Sequence, residues 1–165
     1  MASTAIRDLQ YALLPAAIGS IAAIYSNISC MGIMGKIRYA DKDVQVHPYK
    51  PWADKAEKAE PHFRGFKACQ NCTEWTVYTV PLIIFATLYA PTIPVAGVYL
   101  HWAPAILGCG FGYYNIEYTK GYIHSAEGRI PGFSRRTMCV RGLFYLLGTG
   151  IVCNIAQMAS ELARA

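Results

Sequence analysis

The side chains able to do chemistry fall into two stripes. In the first, Lys67, Asn71, Glu74 and Tyr78 follow one another at intervals of four, three and four residues, which keeps all of them on one face of a helix. Glu74 stands against a long apolar run, where an ionisable group is expensive and marks a functional position by default. Its plainer reading is an interfacial ion pair with Lys67 or with an arginine of a neighbouring helix. In the second stripe, Tyr114, Tyr118 and Tyr122 recur every four residues, and Ser125 and Arg129 extend the line. Aromatic residues at helical spacing are more often packing or an interfacial belt than a site. Here, however, Arg129 places a guanidinium beside phenolic hydroxyls just before Pro131 and Gly132 end the element. Two such stripes at the same depth make a pocket with one carboxylate, one amide, two cations and several hydroxyls, which suits a zwitterionic ligand with several carboxylates better than a lipid alone.

The remaining reactive groups point nowhere as clearly. Of the six cysteines, only Cys69 and Cys72 form a spaced pair. No second pair completes a zinc site, and the pair lies at the entry to an apolar helix, outside the strand and helix context of a redox motif. The other cysteines fall mostly inside apolar runs, where a thiol behaves as a small hydrophobe. His47, His62, His101 and His124 lack metal-ligand spacing, so no metal is expected.

The elements that must carry these stripes are set by where charge is missing. Hydrophobic residues make up 54% of the 165 and charged residues only 15%, against about 25% charged in average soluble chains. That excludes a disordered chain, and it speaks against a soluble nucleic-acid binder despite the formal net charge of +5. No formal charge occurs from Leu9 to Gly35, from Trp75 to Ile116, or from Gly142 to Ser160. Uncharged, mostly apolar runs of this length signal membrane helices, and the middle run is long enough to cross twice, with Pro91 and Pro94 at its fold-back point. The expectation is an all-α integral membrane bundle in a single domain over 1–165, with four helices at about 8–35, 66–90, 97–127 and 134–160. The first uncharged run far exceeds a secretory h-region and reads as a retained signal anchor. A polar loop at about 36–65, broken by Pro48, Pro51 and Pro61, and a second basic segment from Glu117 to Arg141 both belong in the cytoplasm by the positive-inside rule. The central hairpin and both termini then lie on the opposite side.

The residues also carry a family resemblance. Arg64 to Trp75, RGFKACQNCTEW, is similar to the RxxRAxxNxxE signature of the MAPEG superfamily, the membrane-associated proteins of eicosanoid and glutathione metabolism. Tyr118 to Phe133, YTKGYIHSAEGRIPGF, resembles the second signature of that family, in which two tyrosines four apart precede an arginine seven residues on. The two motifs occur in order on the second and third expected helices, and the four-helix pattern covers nearly the whole chain. The resemblance implies a homotrimer in the endoplasmic reticulum membrane, the nuclear envelope or the mitochondrial outer membrane, with sites between adjacent subunits. It implies glutathione as co-substrate, its peptide ends held by Asn71 and Glu74, with Lys67 at a position the family fills with arginine. Tyr118 and Tyr122 would line that site, Arg64 would match the first arginine of the signature, and Arg129 would activate the thiol. Lys36 or Arg38, at the exit of the first helix, would supply a further basic contact. Phe63, Lys67, Trp75 and Ile37 depart from the residues usual in the family. Lys67 puts a point charge where a bidentate guanidinium is usual, and Trp75 offers glutathione an indole N–H in place of a phenol.

Three functions follow. One is a glutathione transferase or peroxidase acting on a lipophilic electrophile or a lipid hydroperoxide drawn from membrane lipid, including formation of leukotriene-type conjugates. The second is a non-catalytic, lipid-presenting scaffold of the same superfamily, against which Arg129 argues. The third is an unrelated four-helix channel or transporter, which calls for charge near mid-bilayer where the sequence places none.

Overall fold

Long stretches without charge leave the backbone in a lipid-like setting no hydrogen-bond partner except itself. The described residues are accordingly helical nearly throughout. A computed structural model describes residues 2–40, 56–94 and 96–164. Four long helices carry them: α1, Ala2–Ala40; α2, Ala56–Tyr89; α3, Ala103–His124; and α4, Ile130–Leu162. No strand occurs among the described residues. Three spans, Ala5–Ile37, His62–Thr92 and Ile130–Leu162, are long and apolar enough to cross a membrane.

Two boundaries differ from expectation for identifiable reasons. α2 begins at Ala56, ahead of the expected residue 66, because Ala56, Glu57, Lys58, Ala59 and Glu60 are strong helix formers. With α1 running on to Ala40, the expected loop at 36–65 shrinks from both ends, and residues 41–55 lie outside the described residues. The expected helix at 97–127 is interrupted. A single turn, Gly97–Leu100, gives way at His101 and Trp102, and α3 restarts with Pro104 in its first turn. Proline brings no backbone N–H, so it fits the start of a helix and interrupts its interior.

α3 also differs in character from the other three. Its second half carries Tyr113, Tyr114, Asn115, Glu117 and Lys120, and it is absent from the segments apolar enough to cross. The packing explains how a polar helix is accommodated, since α3 lies against α1, α2 and α4 together. Its 22 residues still reach about 33 Å at roughly 1.5 Å each.

The interior is built from small residues and the exterior from large apolar ones. Ala23, Ala68, Ala86, Ala90, Cys30 and Cys72 are fully buried, while Ile21, Ile28, Phe85, Phe144 and Ile155 point outward. Helices in lipid gain nothing by hiding bulky apolar groups from one another, so small residues let their backbones approach instead. One close crossing joins α1 to α3. A Cβ on Gly108 would lie 2.6 Å from the Gly19 Cα, so Gly108 accepts no side chain without a shift of one helix against the other. The hairpin between α2 and α3 is tied down by Thr92, whose hydroxyl contacts Tyr89 O at 2.6 Å and Gly150 O at 2.8 Å.

Candidate functional site

The site forms where α2, the end of α3 and the start of α4 meet. Along α3 the buried positions run from Pro104 and Ala105 through Gly108, Phe111, Gly112 and Asn115 to Tyr118 and Thr119, a three-and-four spacing that turns Tyr118 inward. α4 starts directly on top of it. A Cβ on Gly132 would sit 2.6 Å from the Tyr118 Cα, so the missing side chain sets how closely α4 approaches. The turn between α3 and α4 is held by Ser125, whose hydroxyl accepts the Gly128 N–H at 2.9 Å. Arg129 is the N-cap of α4.

Within this corner Asn71 Nδ2 on α2 donates to Tyr118 Oη at 2.8 Å. The Tyr118 and Tyr122 rings lie 5.7 Å apart, and the exposed Arg129 guanidinium covers Tyr122 at 4.8 Å. Trp75 meets Phe133 edge-on at 6.1 Å. Asn71, Trp75, Tyr118, Tyr122 and Arg129 thus come from three segments into one neighbourhood, bounded by aromatic walls and open at the arginine. A guanidinium there can stabilise an anion, and it cannot itself accept a proton.

Other residues singled out from the sequence lie elsewhere within this one chain. Lys67 and Glu74 occupy the outward side of α2 and are linked through Gln70, with Lys67 Nζ 3.4 Å from Gln70 Oε1 and Gln70 Nε2 3.1 Å from Glu74 Oε1. Tyr78, further along that side, is exposed. Arg64 donates from Nε and Nη2 to Ile123 O at 3.3 and 3.2 Å and pairs with Glu60, tying α2 to the end of α3. Lys36 is exposed on α1; Arg38 lies on the same helix, its side chain outside the described residues. Tyr114 is covered by Arg135 at 5.7 Å rather than by Arg129.

One residue of this corner escapes the sequence reading. Arg136 is 1% exposed, although it sits in a basic run with Arg129, Arg135 and Arg141. Its guanidinium stacks 4.0 Å from the Tyr118 ring, 4.8 Å from Trp75 and 5.4 Å from Phe133. Nη1 donates to Asn115 Oδ1 at 2.7 Å, and Asn115 Nδ2 in turn donates to Ser26 Oγ at 3.2 Å. The signal lay in helix phase: Gly132, Arg136, Cys139, Val140 and Leu143 are the buried side of α4, and their spacing carries Arg136 inward while Arg135 and Arg141 stay outside.

Comparison with known proteins finds no family model that matches the chain and no curated protein that matches it.

Proposed function

We propose that the protein is a membrane-bound glutathione transferase and peroxidase, built as a homotrimer and working on lipophilic electrophiles or lipid hydroperoxides. The observation that carries this reading is the Asn71 to Tyr118 hydrogen bond at 2.8 Å, with Arg129 stacked on the adjacent Tyr122. It joins the two stripes that chemistry and family resemblance had singled out separately. Asn71 and Glu74 take the peptide ends of glutathione, Tyr118 and Tyr122 line its path, and Arg129 faces the sulfur. A free thiol is mostly protonated at neutral pH and attacks only as thiolate. A permanently charged guanidinium at a partly desolvated rim favours that anion.

In conjugation the thiolate sulfur forms a bond to an electrophilic carbon as that carbon's bond to its leaving group breaks, the electron pair departing with halide or with an epoxide oxygen that then takes up a proton. In peroxide reduction it attacks the terminal peroxide oxygen, an alcohol leaves, and a second glutathione thiol displaces hydroxide from sulfur to give oxidised glutathione and water. On this reading α3 is the fourth membrane crossing, the charged ends of the helices face the cytoplasm, and the membrane is that of the endoplasmic reticulum. Glu74, exposed on its own chain, and Lys67, half-buried over the Phe63 ring, would meet glutathione at the seam with the next subunit.

Steady-state turnover of a lipophilic aryl halide with glutathione, in detergent micelles, tests the reading. Saturable formation of the thioether supports it. Absence of both thioether formation and hydroperoxide reduction, in protein that is folded and trimeric, would sink it.

A further inference from the structure

The guanidinium of Arg136 is a buried cation with no carboxylate paired to it among the described residues. It has the Asn115 amide oxygen at 2.7 Å, aromatic faces, and an Nε with no hydrogen-bond partner. An uncompensated charge out of water is costly, and arginine cannot shed its proton to escape that cost. Among the described residues, the acid-forming groups packed at this point are the Tyr118 phenol, whose ring the guanidinium covers at 4.0 Å, and the Cys72 and Cys30 thiols of the same buried cluster. Of these, a thiol gives up its proton more readily than a phenol. Asn115 links Cys72 to the guanidinium, its amide oxygen accepting from Arg136 at 2.7 Å and its backbone oxygen facing Cys72 Sγ at 3.9 Å.

The surroundings of Cys72 are those of a paired thiol. Its Sγ lies 3.2 Å from Thr119 Oγ1, and that hydroxyl is 3.0 Å from Cys30 Sγ. Both sulfurs reach the same backbone oxygen, Asn115 O, at 3.9 and 3.7 Å. Cys30 comes from α1 and Cys72 from α2, so one hydroxyl and one carbonyl of α3 hold two thiols of different helices side by side. Cys69, the neighbour suggested by sequence spacing, is turned to the Cys30 carbonyl at 3.2 Å instead.

We infer that Cys72 and Cys30 form a dithiol that reacts with alkyl hydroperoxides dissolved in the bilayer, Cys72 attacking as a thiolate held by Arg136 and Cys30 resolving. A reactive thiol needs both electropositive surroundings and access; Arg136 supplies the first, and opening of the buried Cys72 site must supply the second. The Cys72 sulfur attacks the terminal peroxide oxygen, a sulfur–oxygen bond forms, the oxygen–oxygen bond breaks, and the alkoxide takes up the proton that Cys72 gave up. Cys30 sulfur then attacks the sulfenic acid, a disulfide forms, the sulfur–oxygen bond breaks, and water leaves with the Cys30 proton. Two thiols are oxidised, one hydroperoxide is reduced to its alcohol, and an added thiol reductant restores the pair. The site is closed to water, so local opening of the helices admits small apolar oxidants in preference to polar ones.

The test needs no glutathione, so its outcome is separate from that of the transferase reading. The full chain in lipid nanodiscs is treated with cumene hydroperoxide, and alcohol release, remaining thiols and peptide-mapped crosslinks are measured. One alcohol per chain, with a Cys30–Cys72 disulfide, is expected. Cys72→Ser should abolish both. Cys30→Ser should stop at a sulfenic acid on Cys72 that a dimedone reagent traps, a readout that stands even if the Cys72 variant folds poorly. Arg136→Met should slow the reaction about tenfold or more, and Arg136→Lys should recover part of the rate. Retention of both thiols in the wild type, or oxidation confined to the exposed Cys109 or to Cys153, would overturn the proposal. So would an unchanged rate in Arg136→Met.

Discussion

At the scale of single residues, the account separates a charge needed for chemistry from groups needed for binding. Arg129 touches the Tyr122 ring and makes no ion pair among the described residues, so its charge is available to a thiolate. Arg129→Ala should lower kcat by about 100-fold, the scale seen when one preorganised donor to a developing anion is removed. Glutathione affinity should change much less, and a kcat against KM split measures this. Equal losses in both would make Arg129 a binding residue. Glu74 is exposed and, among the described residues, accepts from Gln70 alone, which leaves its carboxylate accessible to an ammonium group. Glu74→Gln should weaken glutathione binding about tenfold, the scale of one lost charge-assisted contact, as read by calorimetric titration, with turnover at saturation largely kept. The stripe spacing made Asn71, Tyr118, Tyr122 and Arg129 legible from sequence, because four-residue intervals survive as neighbours on a helix. Arg136 was not legible in the same way. A basic run next to an apolar segment looks like a solvated rim, and only the phase of Gly132, Cys139 and Leu143 shows which arginine turns inward.

At the scale of elements, glycine positions decide how the site is held. Gly132 carries the start of α4 onto the backbone of Tyr118. Gly132→Ala should therefore cost about 1–3 kcal/mol by overpacking and shift Tyr118 away from Asn71. A lowered melting temperature together with weaker glutathione binding would be the signature. A lowered melting temperature alone would mean that Tyr118 does not position the ligand. The helices were legible because uncharged length is a strong signal. Their ends were less so: the α2 start follows from helix propensity in a charged segment that hydropathy does not count, and the break before α3 comes from a proline two residues into a run that is apolar on both sides. α3 itself reads as an ordinary span in its first half. Its polar second half makes sense only once three other helices are seen to surround it.

At the scale of the whole molecule, large apolar side chains cover the outside and small ones fill the inside. Such a chain should stay with the membrane through an alkaline wash and leave it only in detergent, which fractionation and immunoblotting will show; release by the wash would contradict membrane crossing by Ala5–Ile37, His62–Thr92 and Ile130–Leu162. The proposed site gives a second expectation at this scale. Glu74 is exposed on its own bundle and on this proposal meets glutathione at a seam, so the detergent-solubilised protein should be a trimer by native mass spectrometry, and a lone monomer that binds glutathione with full affinity would rule out a site shared across the seam.

The central claim is that this corner turns a bound thiol into a thiolate. The most direct measurement is the ultraviolet absorbance of thiolate as glutathione is titrated into the purified protein in detergent at neutral pH, with Arg129→Ala run in parallel. The account predicts a saturable thiolate signal in the wild type that disappears in the variant while glutathione still binds. Saturable binding with no thiolate in either protein would contradict it and favour a lipid-presenting scaffold that uses the same bundle without the reaction.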